Sequence, residues 1–160
     1  MAWRTPVPNG QSSPVISAEH VFLTARDGDW LVTLCLDRKT GKQLWRRESV
    51  RAARPAAKTA PPAFAAPTPA TDGSNVYAMF DEFGLVSYDA DGVERWRRQL
   101  APFNTPYGFG SSPVIEGQRL LLIVDCDNVQ NATQVFNSAR ASSLNKASIA
   151  IAIVESFLPR

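Results

Sequence analysis

The pentapeptide Ser-Ser-Pro-Val-Ile stands at residues 12–16 and again at 111–115, and a Trp-Arg pair recurs at 3–4, 45–46 and 96–97. A chain that copies itself at a period of roughly fifty residues is built from stacked copies of one small unit. The first copy opens at Ser12-Ser13-Pro14-Val15-Ile16 and closes at Thr40-Gly41-Lys42-Gln43-Leu44-Trp45-Arg46-Arg47. The second opens at Ala66-Pro67-Thr68-Pro69, aligned on Pro67, and closes at Asp91-Gly92-Val93-Glu94-Arg95-Trp96-Arg97-Arg98. The third opens at Ser111-Ser112-Pro113-Val114-Ile115 and keeps the pattern as far as Asp125.

Each copy reads as four short strands. Val21–Thr24 and Val76–Phe80 are rich in β-branched and aromatic residues and are bounded by Gly, Asp or Asn, a composition that suits a pleated strand. Leu31–Leu36 and Leu85–Tyr88 follow short polar turns that contain Gly28 and Gly84. A further turn at Asp37–Gly41 or Asp89–Gly92 leads into an outermost strand that carries the Trp. Pro14, Pro67 and Pro113 are placed at strand starts, where a missing amide hydrogen costs least. No segment before residue 129 has helical spacing.

A lone four-stranded sheet cannot bury both faces. Packing copies face to face around an axis does so, and the sequence therefore predicts an all-β chain: an incomplete β-propeller of four-stranded antiparallel blades. The expected layout of residues 1–128 is a first strand at 2–5, blades at 12–48 and 65–99, and a half blade at 111–125. Loops at 49–64 and 100–110 connect the blades. Residues 129–160 form a divergent tail, for which the spacing of Val135, Ala139, Lys146, Ile149 and Ile153 favours a helix. The run Ile149–Val154 is also readable as a strand. A closed propeller typically has about 4–8 blades. A chain with two and a half is expected to self-associate through open strand edges, and to be a truncated or frame-shifted piece of a longer propeller.

Asp-x-x-Thr-Gly-Lys-x-x-Trp at 37–45 resembles the pyrroloquinoline-quinone-like repeat of quinoprotein-type propellers, and Asp89 to Trp96 keeps its Asp, Gly and Trp. The resemblance covers about residues 1–125. It implies that Trp45 and Trp96 dock between blades against turn glycines Gly41 and Gly92, with Asp37 and Asp89 accepting backbone amides in the turns. It also implies a non-catalytic scaffold with a protein partner in the bacterial periplasm or envelope, like the outer-membrane assembly scaffolds that share this repeat. The alternative is a piece of a quinone-dependent dehydrogenase, with pyrroloquinoline quinone and calcium as cofactors. The vicinal cysteine pair, calcium ligand set and catalytic Asp of that class have no counterpart on this chain, so the scaffold reading carries no cofactor.

Other chemistry is thin. A net charge of +2 gives no electrostatic footprint for nucleic acid, and the arginine pairs at 46–47 and 97–98 are read as guards of sheet edges. No run is long enough to span a membrane, and Met1-Ala2-Trp3-Arg4 does not start a secretory signal. Cys35 and Cys126 are expected as buried thiols, and His20 as a surface or turn residue. Asp125–Asn128 is too short for a calcium loop, and Asn131-Ala-Thr133 fits the glycosylation triplet. Phe103, Tyr107 and Phe109 crowd the second inter-blade connection. They either line a central funnel, as candidate binding residues, or pin the loop to the core.

Overall fold

The computed structural model describes residues 3–52, 67–80, 82–100, 111–117, 119–125, 143–144 and 149–155. They form three four-stranded antiparallel sheets. The first is a meander of β1 (Val15–Ile16), β2 (His20–Asp27), β3 (Trp30–Asp37) and β4 (Gln43–Arg51). The second repeats it with β5 (Ala70–Thr71), β6 (Asn75–Phe80), β7 (Gly84–Asp89) and β8 (Glu94–Gln99).

Alternation along the strands sends side chains to both faces of each sheet, and in the first sheet both faces bury apolar side chains. Phe22, Leu31, Cys35 and Trp45 of the first sheet meet Val76, Ala78, Phe80, Val86 and Tyr88 of the second in one buried cluster. Inside it the ring centroids of Phe22 and Trp45 are 5.9 Å apart and those of Trp45 and Tyr88 5.8 Å, tilted in both cases. On the far face of the first sheet, Ala25, Val32 and Leu34 make a second buried cluster with Leu23 and Trp30 against it.

A register shift falls at the same place in both copies. Cys35 pairs with Trp45 but Leu36 pairs with Gln43, and Ser87 pairs with Trp96 but Tyr88 pairs with Glu94. One residue, Leu44 or Arg95, is thus skipped just before each Trp. Such a bulge re-aims the following side chain.

The third sheet departs from the expected half blade. β9 (Val114–Glu116) and β10 (Arg119–Asp125) form its hairpin, and tail residues add β11 (Ser143–Leu144) and β12 (Ile149–Glu155). The order is β9-β10-β12-β11, so the chain visits the outermost position before the third one. β12 pairs with β10 from Arg119↔Glu155 to Asp125↔Ile149. The helix favoured for the tail is therefore corrected at 149–155. Alternation of β-branched Ile with Ala has a period of two, and an open strand edge on β10 satisfies its backbone. Residues 129–142, 145–148 and 156–160 of the tail lie outside the described residues.

Three other boundaries move. Residues 3–5 are not a strand; they carry no ladder pairing and instead run past the Asp37–Gly41 turn. Pro69, not Pro67, is the equivalent of Pro14 and Pro113, since each of these directly precedes the first strand of its sheet. The loop set at 49–64 begins too early, because β4 continues to Arg51 and Ser49 is buried.

Candidate functional site

Two turns and the residues seated on them are the most specific constructions in the molecule. In the first turn one carboxylate oxygen of Asp37 accepts the amides of Lys39 (3.0 Å) and Thr40 (2.7 Å) and the Thr40 hydroxyl (2.7 Å). The hydroxyl and amide of Thr40 hold this carboxyl below the usual carboxylate range. In the second turn Asp89 accepts the amides of Asp91 (3.0 Å) and Val93 (2.8 Å). Both turns place a glycine in the left-handed region, Gly41 at φ 71° and Gly92 at φ 78°. The second turn does so although it is a residue shorter and lacks the Thr.

On each glycine lies an indole from the preceding repeat. Trp45 of the first sheet covers Gly92 of the second, so close that a Cβ there would sit 2.7 Å from Cδ2 of the ring. Its Nε1 donates to the Ala90 carbonyl at 2.7 Å. Trp3 covers Gly41 in the same way, and its Nε1 donates to the Arg38 carbonyl at 2.9 Å. In both cases the acceptor is the residue after the turn's Asp.

The residue two positions after the Trp completes each seat. Arg47 Nε donates to the Gly92 carbonyl at 2.6 Å, and Thr5 Oγ1 donates to the Gly41 carbonyl at 2.6 Å. Arg47 also reaches the Asp91 carbonyl at 3.2 Å, and its guanidinium lies 5.6 Å from the centre of the Trp45 ring. Arg47 thus joins two sheets, a role that sequence reasoning missed when it treated the arginine pairs as edge guards. The edge description suits Arg46, which bridges Asp27 at 2.9 Å and Glu48 at 3.0 Å on the surface. The signal that identifies Arg47 is positional: Thr5 and Arg47 share the Trp+2 register.

At the inner end of the sheets a second linkage repeats. The Ser13 amide donates to Thr68 Oγ1 (3.1 Å), and the Thr68 amide donates to Ser112 Oγ (3.0 Å). Each hydroxyl residue stands just before the aligned proline, so one sheet hands its amide to the next. Ser12 instead ties its own sheet, with its hydroxyl donating to the Thr24 carbonyl at 2.8 Å. Further out, Ser49 Oγ receives the Tyr88 hydroxyl at 3.0 Å and contacts Thr33 Oγ1 at 2.8 Å, linking the first two sheets through a buried polar trio.

Trp96 is placed differently from Trp45. It lies in β8 with its ring centroid 6.0 Å from that of Tyr77 in its own sheet. Trp96, Arg97, Arg98 and Gln99 line a cavity of about 470 Å³ on the outer strand. Phe103, Tyr107 and Phe109, the funnel candidates, lie outside the described residues, as do Cys126, Asp127, Asn128 and Asn131. His20 is half-buried at the start of β2, its ring 5.6 Å from that of Phe22. Cys35 is a buried thiol, pushed up to about 12 by burial and by the nearby Asp37 carboxylate.

The family described as outer membrane protein assembly factor BamB matches residues 1–149. This chain belongs to that family. Its repeats are the pyrroloquinoline-quinone-like repeats of a β-propeller, and the described strands form an open, incomplete one. Among solved structures, BamB from Moraxella catarrhalis is similar with a TM-score of 0.53 at 18% identity, over 76% of this chain and 36% of that one. Quinohemoprotein alcohol dehydrogenase from Comamonas testosteroni gives a TM-score of 0.48 at 15% identity, over 72% of this chain and 17% of that one. The chain thus spans little more than a third of the BamB structure it matches. A search of curated proteins gives no match. Among the described residues no helix is long and apolar enough to cross a membrane, and no three His, Cys, Asp or Glu side chains come together as metal ligands.

Proposed function

We propose that this chain is a non-catalytic propeller unit that offers blade surfaces to a protein partner at the bacterial envelope, in the assembly of outer-membrane proteins. The observation that carries this reading is where the polar repeat residues point. Asp37 and Asp89 are occupied by their own turns, and Trp3, Trp45 and Arg47 by the neighbouring turn. Ser13, Thr68 and Ser112 form the inner linkage. The repeat's chemistry goes into building a scaffold. The matched family, described as an outer membrane protein assembly factor, supports this choice of partner class and compartment.

This reading calls for neither calcium nor pyrroloquinoline quinone. One carboxylate oxygen of Asp37 and one of Asp89 are engaged by turn donors, which supports a structural use for both residues. The test is direct. The chain, targeted to the periplasm of a bacterium with an outer membrane and crosslinked in place, should capture components of the outer-membrane insertion machinery. Crosslinking that yields none of them counts against the reading. A rise in melting temperature with pyrroloquinoline quinone plus calcium would favour the dehydrogenase class instead, because a ligand selective for the folded state must raise its stability.

A further inference from the structure

The two indole seats differ in how their plugs are held. Trp45 and Arg47 belong to β4, where Trp45 pairs with Cys35 and Arg47 with Thr33 in the ladder. Trp3 and Thr5 make the equivalent donations, to the Arg38 and Gly41 carbonyls, from a segment without ladder pairing. Among the described residues, the first backbone hold on that segment is at Asn9, whose carbonyl accepts the Arg26 amide at 2.6 Å. Just beyond it, Gly10 lies so close to β2 that a Cβ would sit 2.8 Å from the Thr24 carbonyl oxygen, and the Ser12 hydroxyl donates to that same carbonyl. Between plug and anchor stand Pro6, Val7 and Pro8, with Pro6 and Val7 exposed. Proline has no amide to give to a ladder, and two of them favour an extended, stiff connector. Residues 3–5 are thus a strap seated by two side-chain bonds and one ring.

We propose that the Gly41 seat is an exchangeable docking site, and that its occupant in trans is the Trp3–Thr5 strap of a second copy of this chain. The fit is already complete within one molecule: an indole N–H for the Arg38 carbonyl, a hydroxyl for the Gly41 carbonyl, and a glycine with no room for a Cβ against the ring. Exchange between copies remakes those contacts unchanged, so its cost is chiefly the entropy of association. A short tether gives each chain's own strap an effective concentration of about 1 mM. The closed monomer therefore dominates in dilute solution, and strap-exchanged pairs form as the chain approaches that concentration. The sheets stay paired throughout, because the anchor at Asn9 to Ser12 keeps its hold on β2 when the strap leaves. Exchange of this kind uses no open strand edge and is independent of the envelope role.

The test mixes two full-length variants at about 1 mM, near the effective concentration of the tether. One, labelled with nitrogen-15, carries Gly41→Ala: its strap is intact, but the added Cβ closes its own seat against the Trp3 ring. The other, unlabelled, carries Trp3→Ala and Thr5→Ala: its seat is open and its strap cannot fill it. The Trp3 indole N–H signal, assigned by Trp3→Ala, is expected at a solvent-exposed position in the labelled variant alone. It is expected to move toward its wild-type position when the open-seat chain is added, and to stay in place when unlabelled Gly41→Ala chain is added instead. A peptide of residues 1–12 with nitrogen-15 in Trp3, titrated into the open-seat chain, reads the same site and decides the matter should the Gly41→Ala chain not fold. Its Thr5→Ala form is expected to bind about fivefold more weakly, the effect of one neutral hydrogen bond. A Trp3 signal that ignores the open-seat chain overturns the proposal. So does peptide binding that is indifferent to Thr5, or a Trp3 signal already at its wild-type position in the Gly41→Ala chain alone.

Discussion

Trp45 lies against Gly92, two residues 47 positions apart that join the first sheet to the second. The position combines a φ of 78° with a missing Cβ that the indole would strike at 2.7 Å. Gly28 provides the comparison, with a φ of 58° and nothing within 4 Å of a Cβ. Gly28→Ala should therefore cost only the left-handed strain, about 1–2 kcal/mol. Gly92→Ala should cost that plus the displaced indole, about 3–5 kcal/mol in total, approaching the cost of removing a buried aromatic. Urea unfolding of the two variants measures the difference. Equal losses would mean that the indole contact contributes nothing.

Arg46 and Arg47 are adjacent and chemically identical, yet they should differ in worth. Arg46 pairs with Asp27 and Glu48 at the surface, where such bridges contribute about 0–1 kcal/mol. Arg47 donates to two carbonyls of the next turn and stacks on Trp45. Arg47→Ala should cost about 2 kcal/mol, from a charged hydrogen bond and the ring contact together. Arg47→Lys should recover little, because an ammonium lacks the planar fork that spans both carbonyls. Chemical denaturation of the three variants decides the ranking, and an Arg46→Ala loss as large as that of Arg47→Ala would contradict it.

The contrast between these arginines also shows what the sequence made legible. The period of the repeat, the Asp and Gly turns and the alternating strands were readable because turn chemistry and pleat periodicity are local. The order of strands in the third sheet was not, since Ser143–Leu144 and Ile149–Glu155 are recruited by an open edge on β10 that no local signal in the tail announces. The seats were half legible. The indoles and glycines carry distinctive identities, but Thr5 and Arg47 share only a register, and different side chains perform the same donation there. The inner linkage was hidden for a similar reason. Alignment on Pro67 put Thr68 out of step with Ser13 and Ser112, whereas alignment on Pro69 brings the three hydroxyls into line.

Asp72 and Tyr77 should shape both ends of the stability profile. Burial opposes ionisation of Asp72, but hydrogen bonds from the Asn75 side chain (2.9 Å), the Tyr77 hydroxyl (2.7 Å) and the Asn75 and Ser74 amides outweigh it and lower its pKa. A carboxylate depressed in the folded state contributes stability that is present above its unfolded pKa, about 3.9, and is lost as pH falls through the lower folded value. Tyr77 is pushed up to about 12 by burial and by its bond to Asp72. Its contribution is complete below the unfolded value of about 10 and disappears as pH rises toward 12. Asp72→Asn should flatten part of the acid loss below about pH 4, where Asp37 and Glu94 also titrate low. It should also move the ultraviolet phenolate transition of Tyr77 downward, and an unchanged transition would separate the two groups.

Cys35 should be chemically silent until the inter-sheet cluster opens. The thiolate is the reactive form, and a thiol pushed up to about 12 by burial supplies almost none of it near neutrality. The side chain is also inaccessible, packed in the cluster that holds Phe22, Trp45 and Tyr88. In a Cys126→Ser background, a disulfide reagent should therefore modify Cys35 at a rate set by opening of the first sheet from the second. Adding Gly92→Ala, which loosens that interface at the Trp45 seat, should accelerate the reaction; Gly28→Ala, on a hairpin away from it, should do so far less. Modification of the folded chain as fast as that of a free thiol would show that the two sheets do not hold together in solution.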